Sequence, residues 1–267
     1  MKKDTDMKFL DHLEVFRWHL IRSGVAIIIC STLAFVFKDI VFNQIILAPR
    51  NIDFPTYIIL CKISNLIGLG NTLCLEEPPF TLINIHMSGQ FSTHILVSIV
   101  SGIIISFPYV FWQIWSFVKP ALYTNEIKLA RGIVFFSSLL FFIGVIFGYY
   151  IISPMSINFL GTYQVSSIVT NNISLVSFIS TVTTICLANG IIFQLPIVVY
   201  FLTKVGFLTP HFMRLYRKHA LIITLILSAV ITPPDVTSQI LVSLPLLILY
   251  ELSIKISSRV LKNKRVD

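Results

Sequence analysis

Glu126 is the residue of this chain best placed to meet a charged ligand. It stands in FVKPALYTNEIKLARG, a polar interruption between two long apolar segments, with Lys119, Lys128 and Arg131 around it. A carboxylate accepts a guanidinium in a bidentate pair, so an exposed acid in basic surroundings suits an incoming arginine. At the start of a helix the same carboxylate also caps the dipole, and the spacing leaves both roles open. A second acid, Glu14, lies in FLDHLEVFRWHLIRS. There Phe9, Leu13, Phe16 and Leu20 recur at helical spacing, with Asp11, Glu14, Arg17 and Arg22 on the remaining surface. The pattern reads as an amphipathic helix over residues 5–18 that leads into an apolar segment.

Other polar residues stand out because of what surrounds them. Gln194, in FQLP, lies deep in an apolar stretch, where an amide must hydrogen-bond either another helix of the chain or a partner helix. Asp235, in ITPPDVTSQ, follows two prolines that end a helix, which puts it at a turn facing water or headgroups. Cys61 and Cys74 lie in a long polar connection and are either free or bridged; a bridge there would stabilise by about 3 kcal/mol. Cys30 and Cys186 lie in apolar segments and read as packing residues.

Enzymatic signatures are missing. No GxxxxGK[ST] loop, HExxH or GxSxG occurs, the six histidines are scattered, and no Cys/His cluster has metal-ligand spacing. The expectation is a non-enzymatic chain with no metal and no cofactor. Its charge of +8 comes without an aromatic-interleaved basic module, so nucleic acid is not an expected partner.

The elements that must position these residues belong in a membrane. Mean hydropathy is +0.86 and hydrophobic residues make up 55% of the chain, beyond what a soluble core needs. No Asp, Glu, Lys, Arg or His occurs between Arg131 and Lys204, which is room for two crossings and a loop. Six apolar segments emerge, at about 19–37, 93–115, 132–152, 175–202, 219–232 and 238–251. The third is expected to end before Pro154, and Pro196 to kink or bound the fourth. The last two read as short: 16 residues separate Lys218 from Asp235 and 15 separate Asp235 from Glu251, against roughly 20 for a crossing. Gly144 and Gly148 form a GxxxG that suits close packing of helices, within the chain or between copies.

Basic residues set the orientation. With the N-terminus inside, 17 of the 20 Lys and Arg fall in inner segments and only Lys38, Arg50 and Lys62 in outer loops. The expectation is an all-α membrane protein with six crossings, both termini cytoplasmic, an outer loop over 38–92 and an inner loop over 116–131. A small-solute transporter is the alternative. It would call for charged or discontinuous midplane helices and a repeat between halves.

FLDHLEVFRWHLIRS, the LAP at Leu47 to Pro49, FVKPALYTNE, SSLLFFIGVIFGYYIISP, FQLP and TPPDVTSQ occur in this order over nearly the whole chain. Together they resemble TatC, the multispanning subunit of the twin-arginine protein translocase. The resemblance implies a single concave TatC-like domain over 1–267 in the cytoplasmic (inner) membrane. It implies a receptor for Arg-Arg signal peptides of folded cargo, self-association in the receptor complex, TatA/TatB-like single-span partners and use of the protonmotive force. On the matching positions, Glu126 takes the place of the acid in the family's ALYxxE motif, and Phe117 an aromatic position of the same surface. His12, Leu13 and Arg17 match the family's HLxELR pattern, but Val15 stands where that pattern has its glutamate. Glu14 is one residue earlier, a rotation of about 100° on a helix. Gln194, Thr232 and Gln239 match positions of partner-subunit contact, and Pro49 and Asp235 structural positions in outer connections.

Overall fold

The computed structural model describes residues 9–66, 80–118, 130–164, 166, 171–232 and 236–263. Helices dominate, as the long runs of Leu, Ile, Val and Phe require: without water in a bilayer, each segment must satisfy its own backbone groups. Among the described residues, five stretches are long and apolar enough to cross a membrane: Leu13–Val36, Gly89–Val118, Gly132–Thr162, Leu175–Val205 and Ser238–Lys262. Large exposed side chains such as Ile28, Phe135, Ile191 and Ile222 suit a lipid-facing surface.

The chain divides into two compact units. One combines Met1–Val36 with Val97–Leu139, and so contains α1 (Phe9–Val36), most of α3 (Gly89–Val118) and the start of α4 (Ala130–Phe147). Within it α1 is a single helix, with no break between the amphipathic residues and the apolar span. At Gly102, α3 comes so close to α1 that an added Cβ would lie 2.7 Å from the Ser31 backbone nitrogen.

The second unit combines Phe37–Leu96 with Leu140–Asp267. The outer loop expected over 38–92 is built rather than plain: a π-helical turn (Ile40–Ile46), a 3-10 turn (Ala48–Arg50), α2 (Pro55–Leu66) and β1 (Thr81–Ile83) occupy it. β1 pairs in parallel with β2 (Asn172–Ser174), Thr81 opposite Asn172 and Ile83 opposite Ser174. Pro49 is buried at the 3-10 turn. The Tyr57 hydroxyl, 3.0 Å from the carbonyl oxygens of both Pro49 and Pro154, joins the turn to α5 (Ser153–Thr162). Burial pushes the pKa of that phenol upward, so it stays a hydrogen donor. Cys61, on α2, is disulfide-bonded, whereas Cys30 and Cys186 are free; Cys74 lies outside the described residues.

Three expectations need correction or refinement. The third apolar segment does not end before Pro154. A π-helical turn (Gly148–Ile152) follows α4, and the chain continues as α5 with Pro154 in its first turn, where a missing N–H is tolerated. The fourth segment does break near Pro196: α6 (Leu175–Ile192) gives way to α7 (Leu195–Val205) through a turn at Phe193 and Gln194. The sixth segment is not short, because α10 runs for 28 residues from Val236 to Asn263. Glu251, which marked its expected end, is neutralised by Arg217 at 2.8 Å. Beyond it Ser253, Ile254 and Ser257 stay buried while Lys255, Arg259 and Lys262 face out, so one helical face still packs. The fifth segment is short as expected. It forms α9 (Arg217–Ile231), whose 15 residues span about 22 Å against about 30 Å of hydrocarbon.

The core of this unit gathers Ile152, Ile185, Phe193, Val242, Leu246 and Leu249, with a second cluster of Val199, Met213 and Ile254. Hydroxyls tie the helices where they meet, Ser156 to Ser238 at 2.7 Å and Thr203 to Ser257 at 2.8 Å. The GxxxG packs inside the chain: a Cβ on Gly144 would stand 2.6 Å from the Asn189 carbonyl oxygen, and one on Gly148 would stand 3.1 Å from that of Ile185. Gly190 completes the contact from the α6 side, against Phe141 and Val145.

Candidate functional site

The start of α1 and the end of α3 meet within the first unit. Phe16 packs on Phe117 with ring centroids 5.0 Å apart, and His19 presents an edge to the same ring at 6.2 Å. Beneath the rings, His19 Nδ1 donates to Gln113 Oε1 at 2.6 Å, and Gln113 Nε2 donates to the Tyr109 hydroxyl at 2.7 Å. An amide oxygen can only accept, so this contact puts the proton on Nδ1. Gln113 is only 2% exposed, and without His19 and Tyr109 its buried amide would cost about 1–3 kcal/mol. The helices are thus registered by one aromatic pair and one polar chain.

Around this junction, Glu14 and Arg17 are exposed, as are Leu13 and Val15. All four belong to one helix that Phe16 and His19 fasten to α3, so their surface is held rather than free to swing. The segment carrying Glu126 leaves α3 directly after Val118, one residue beyond Phe117, and returns as α4 at Ala130. Glu126 and the side chain of His12 lie outside the described residues.

Gln113 and His19 are absent from the residues proposed on sequence. The signal was present, since Gln113 is the amide inside FWQIWSF, but the flanking aromatics invite reading the string as apolar.

The residues expected to meet partner subunits lie in the second unit. Gln194 occupies the turn between α6 and α7, where its carbonyl accepts from the Ile197 and Val198 amides at 2.9 and 3.1 Å. Asn189, five residues earlier, is a second strongly polar side chain in the same apolar segment. Asn189 is 1% exposed, with Nδ2 donating to Ile185 O at 2.8 Å and Oδ1 enclosed without a donor among the described residues. Thr232 is buried and its hydroxyl donates to Ser228 O at 2.8 Å. Gln239 Nε2 donates across to the Leu225 carbonyl of α9 at 3.2 Å. Thr232 and Gln239 therefore fix the ends of α9 and α10, while Asp235 lies outside the described residues.

Known proteins share this sequence and fold. The family model for TatC, Sec-independent protein translocase protein, matches residues 11–245. The chain is 39% identical over 261 residues to a Sec-independent protein translocase protein TatC of Blattabacterium sp., covering 97% of this chain and 98% of that one. It is 34% identical over 260 residues to the TatC of Aquifex aeolicus, with the same coverage of both chains. A crystal structure of Twin Arginine Translocase Receptor-TatC superposes with a TM-score of 0.71 at 32% identity, covering 93% of this chain and 99% of that one. Another, in DDM, gives 0.72 at 34% identity, covering 91% and 97%. The chain is a multi-pass membrane protein that belongs to the TatC family of Sec-independent protein translocase subunits.

Proposed function

We propose that this protein is the receptor subunit of a twin-arginine translocase. It binds Arg-Arg signal peptides of folded cargo at its cytoplasmic face and nucleates assembly of TatA/TatB-like single-span subunits for export driven by the protonmotive force. The observation that carries this reading is the fastening of α1 to the end of α3 through Phe16–Phe117 and His19–Gln113. It holds the exposed Glu14 and Arg17 at the end of the unit from which the Glu126 segment departs. On this reading Glu126 receives a signal-peptide arginine in a bidentate pair, which a lysine cannot reproduce. Glu14 supplies the second negative charge from the turn adjoining Val15, with His12, Leu13 and Phe117 on the same surface. The protein makes and breaks no covalent bond, and it works as a docking platform in the inner membrane.

The topology in this proposal has six crossings with both termini cytoplasmic, α9 being the short fifth. The 17-to-3 distribution of Lys and Arg supports that orientation. Gln194, Thr232 and Gln239 mark where single-span subunits dock, and self-association completes the receptor complex. Pro49, Asp235 and a Cys61–Cys74 bridge shape the outer connections.

A photoreactive residue in place of Leu13 or Leu20, in membranes carrying the whole complex, tests the assignment. Cross-links to an Arg-Arg precursor, lost with a Lys-Lys precursor, are the expected result. Equal cross-linking of both precursors would contradict it.

A further inference from the structure

The second unit carries a charged site of its own. A cleft of about 610 Å³ opens between α8 (Pro210–Leu215) and the end of α10, lined among others by His211, Arg214, Ser258, Leu261 and Lys262. Arg214 Nη2 makes one long contact, 3.5 Å to Ser258 Oγ, and the Ser258 proton is already given to Ile254 O at 2.9 Å. Most guanidinium donors are thus unspent. Among the described residues no carboxylate pairs with Arg214 or Lys262, and Glu251 is taken by Arg217.

The cleft also sits where apolar spans stop. Lys262 ends the stretch Ser238–Lys262, and Leu175–Val205 ends four residues before Thr209. Beside it Phe207, Phe212 and Leu215 are 79%, 49% and 68% exposed. Basic side chains beside an exposed apolar rim suit a membrane–water boundary, where the cations meet headgroups and the rim meets acyl chains. A soluble anion would gain from the cations but not from this apolar rim. A lipid gains from both.

We propose that this cleft binds the phosphate of an anionic phospholipid. Arg214 and Lys262 hold the headgroup, and the acyl chains lie against the exposed Phe212 and Leu215. Basic pockets between membrane helices draw anionic headgroups by this balance of charge and apolar contact. On the orientation proposed above, the lipid belongs to the cytoplasmic leaflet.

The test uses the purified full chain in detergent, with phosphatidylglycerol, phosphatidylcholine of the same acyl chains, and inorganic phosphate, read by native mass spectrometry and by thermal unfolding. Phosphatidylglycerol is expected to stay bound and raise Tm, with little effect from the other two. Removing one charge with Lys262→Gln should weaken phosphatidylglycerol binding about fivefold, and adding Arg214→Gln should weaken it about 25-fold. Lys62→Gln, on α2, should leave it unchanged. Equal binding of phosphatidylcholine, a shift reproduced by phosphate alone, or unaltered affinity in Lys262→Gln would each overturn the proposal. The single variant removes one exposed side chain at a helix end, so it keeps the test valid if the double variant fails to fold.

Discussion

The two compact units solve helix packing with different materials. Along the first span, Leu13–Val36, only Ser23 and Ala34 are buried, whereas Leu175–Val205 buries Phe178, Ile179, Val182, Ile185 and Phe193 among others, and Ser238–Lys262 buries Val242, Leu246, Leu249 and Ile254 among others. The α1–α3 contact therefore depends on a few specific features: Gly102 against Ser31, Phe16 on Phe117, and the His19–Gln113–Tyr109 chain. The α6–α7–α10 assembly has interlocked apolar clusters, and its hydroxyl pairs are additions to a packed core. A few local contacts, one polar chain among them, therefore determine α1–α3 register, whereas interlocked apolar clusters determine it in the second unit. The recognition surface proposed on α1 consequently depends on very few side chains.

The largest expected effect breaks the packed unit by shape alone. Gly144→Leu drives a side chain into the Asn189 carbonyl and Phe193, and should cost 3 kcal/mol or more on the order expected for overpacking. Membrane-extracted protein should then lose its cooperative melting transition; retention of the parental Tm would show that the helices separate freely there. Next comes the polar chain. Gln113→Leu strands the His19 and Tyr109 hydrogen-bonding groups and should cost about 1–2 kcal/mol. Signal-peptide affinity should fall several-fold while the second unit keeps its protease resistance. A loss of protease resistance in both would dissolve the distinction between them.

Smaller effects sharpen the same contrast. Thr203→Val removes the bond to Ser257 inside a packed core and should lower stability by about 0.6 kcal/mol, a Tm shift of a degree or two. Arg217→Gln breaks the half-exposed pair with Glu251, worth a few tenths of a kcal/mol, and should leave Tm within error at high salt.

Much of this architecture is legible in the sequence because hydropathy and proline act locally. The apolar runs place the spans, Pro196 marks the α6–α7 break, and Gly144 with Gly148 announces a close approach. What was missed has two causes: a deciding partner distant in sequence, or a local backbone geometry that residue types do not announce. Glu251 looks like a helix end until Arg217, 34 residues earlier, neutralises it. Pro154 looks like a stop because a π turn cannot be anticipated from GYYII. The pairing of β1 with β2 joins residues 91 apart through strands of three residues, too short to carry a periodic signal. At the candidate site, Glu14 and Arg17 were proposed from residue type and spacing, and Phe117 from the family resemblance. Gln113 and His19 were not, because their importance comes from the hydrogen bond between them.

The most direct measurement of the receptor reading is the affinity of a fluorescent Arg-Arg signal peptide and its Lys-Lys counterpart for the purified protein in nanodiscs, repeated with Glu126→Gln and Glu14→Gln. The account predicts tighter binding of the Arg-Arg peptide by about tenfold or more, consistent with a charge-assisted bidentate pair. That preference should vanish in Glu126→Gln and weaken in Glu14→Gln. Equal affinity for both peptides, unchanged by either substitution, would contradict it.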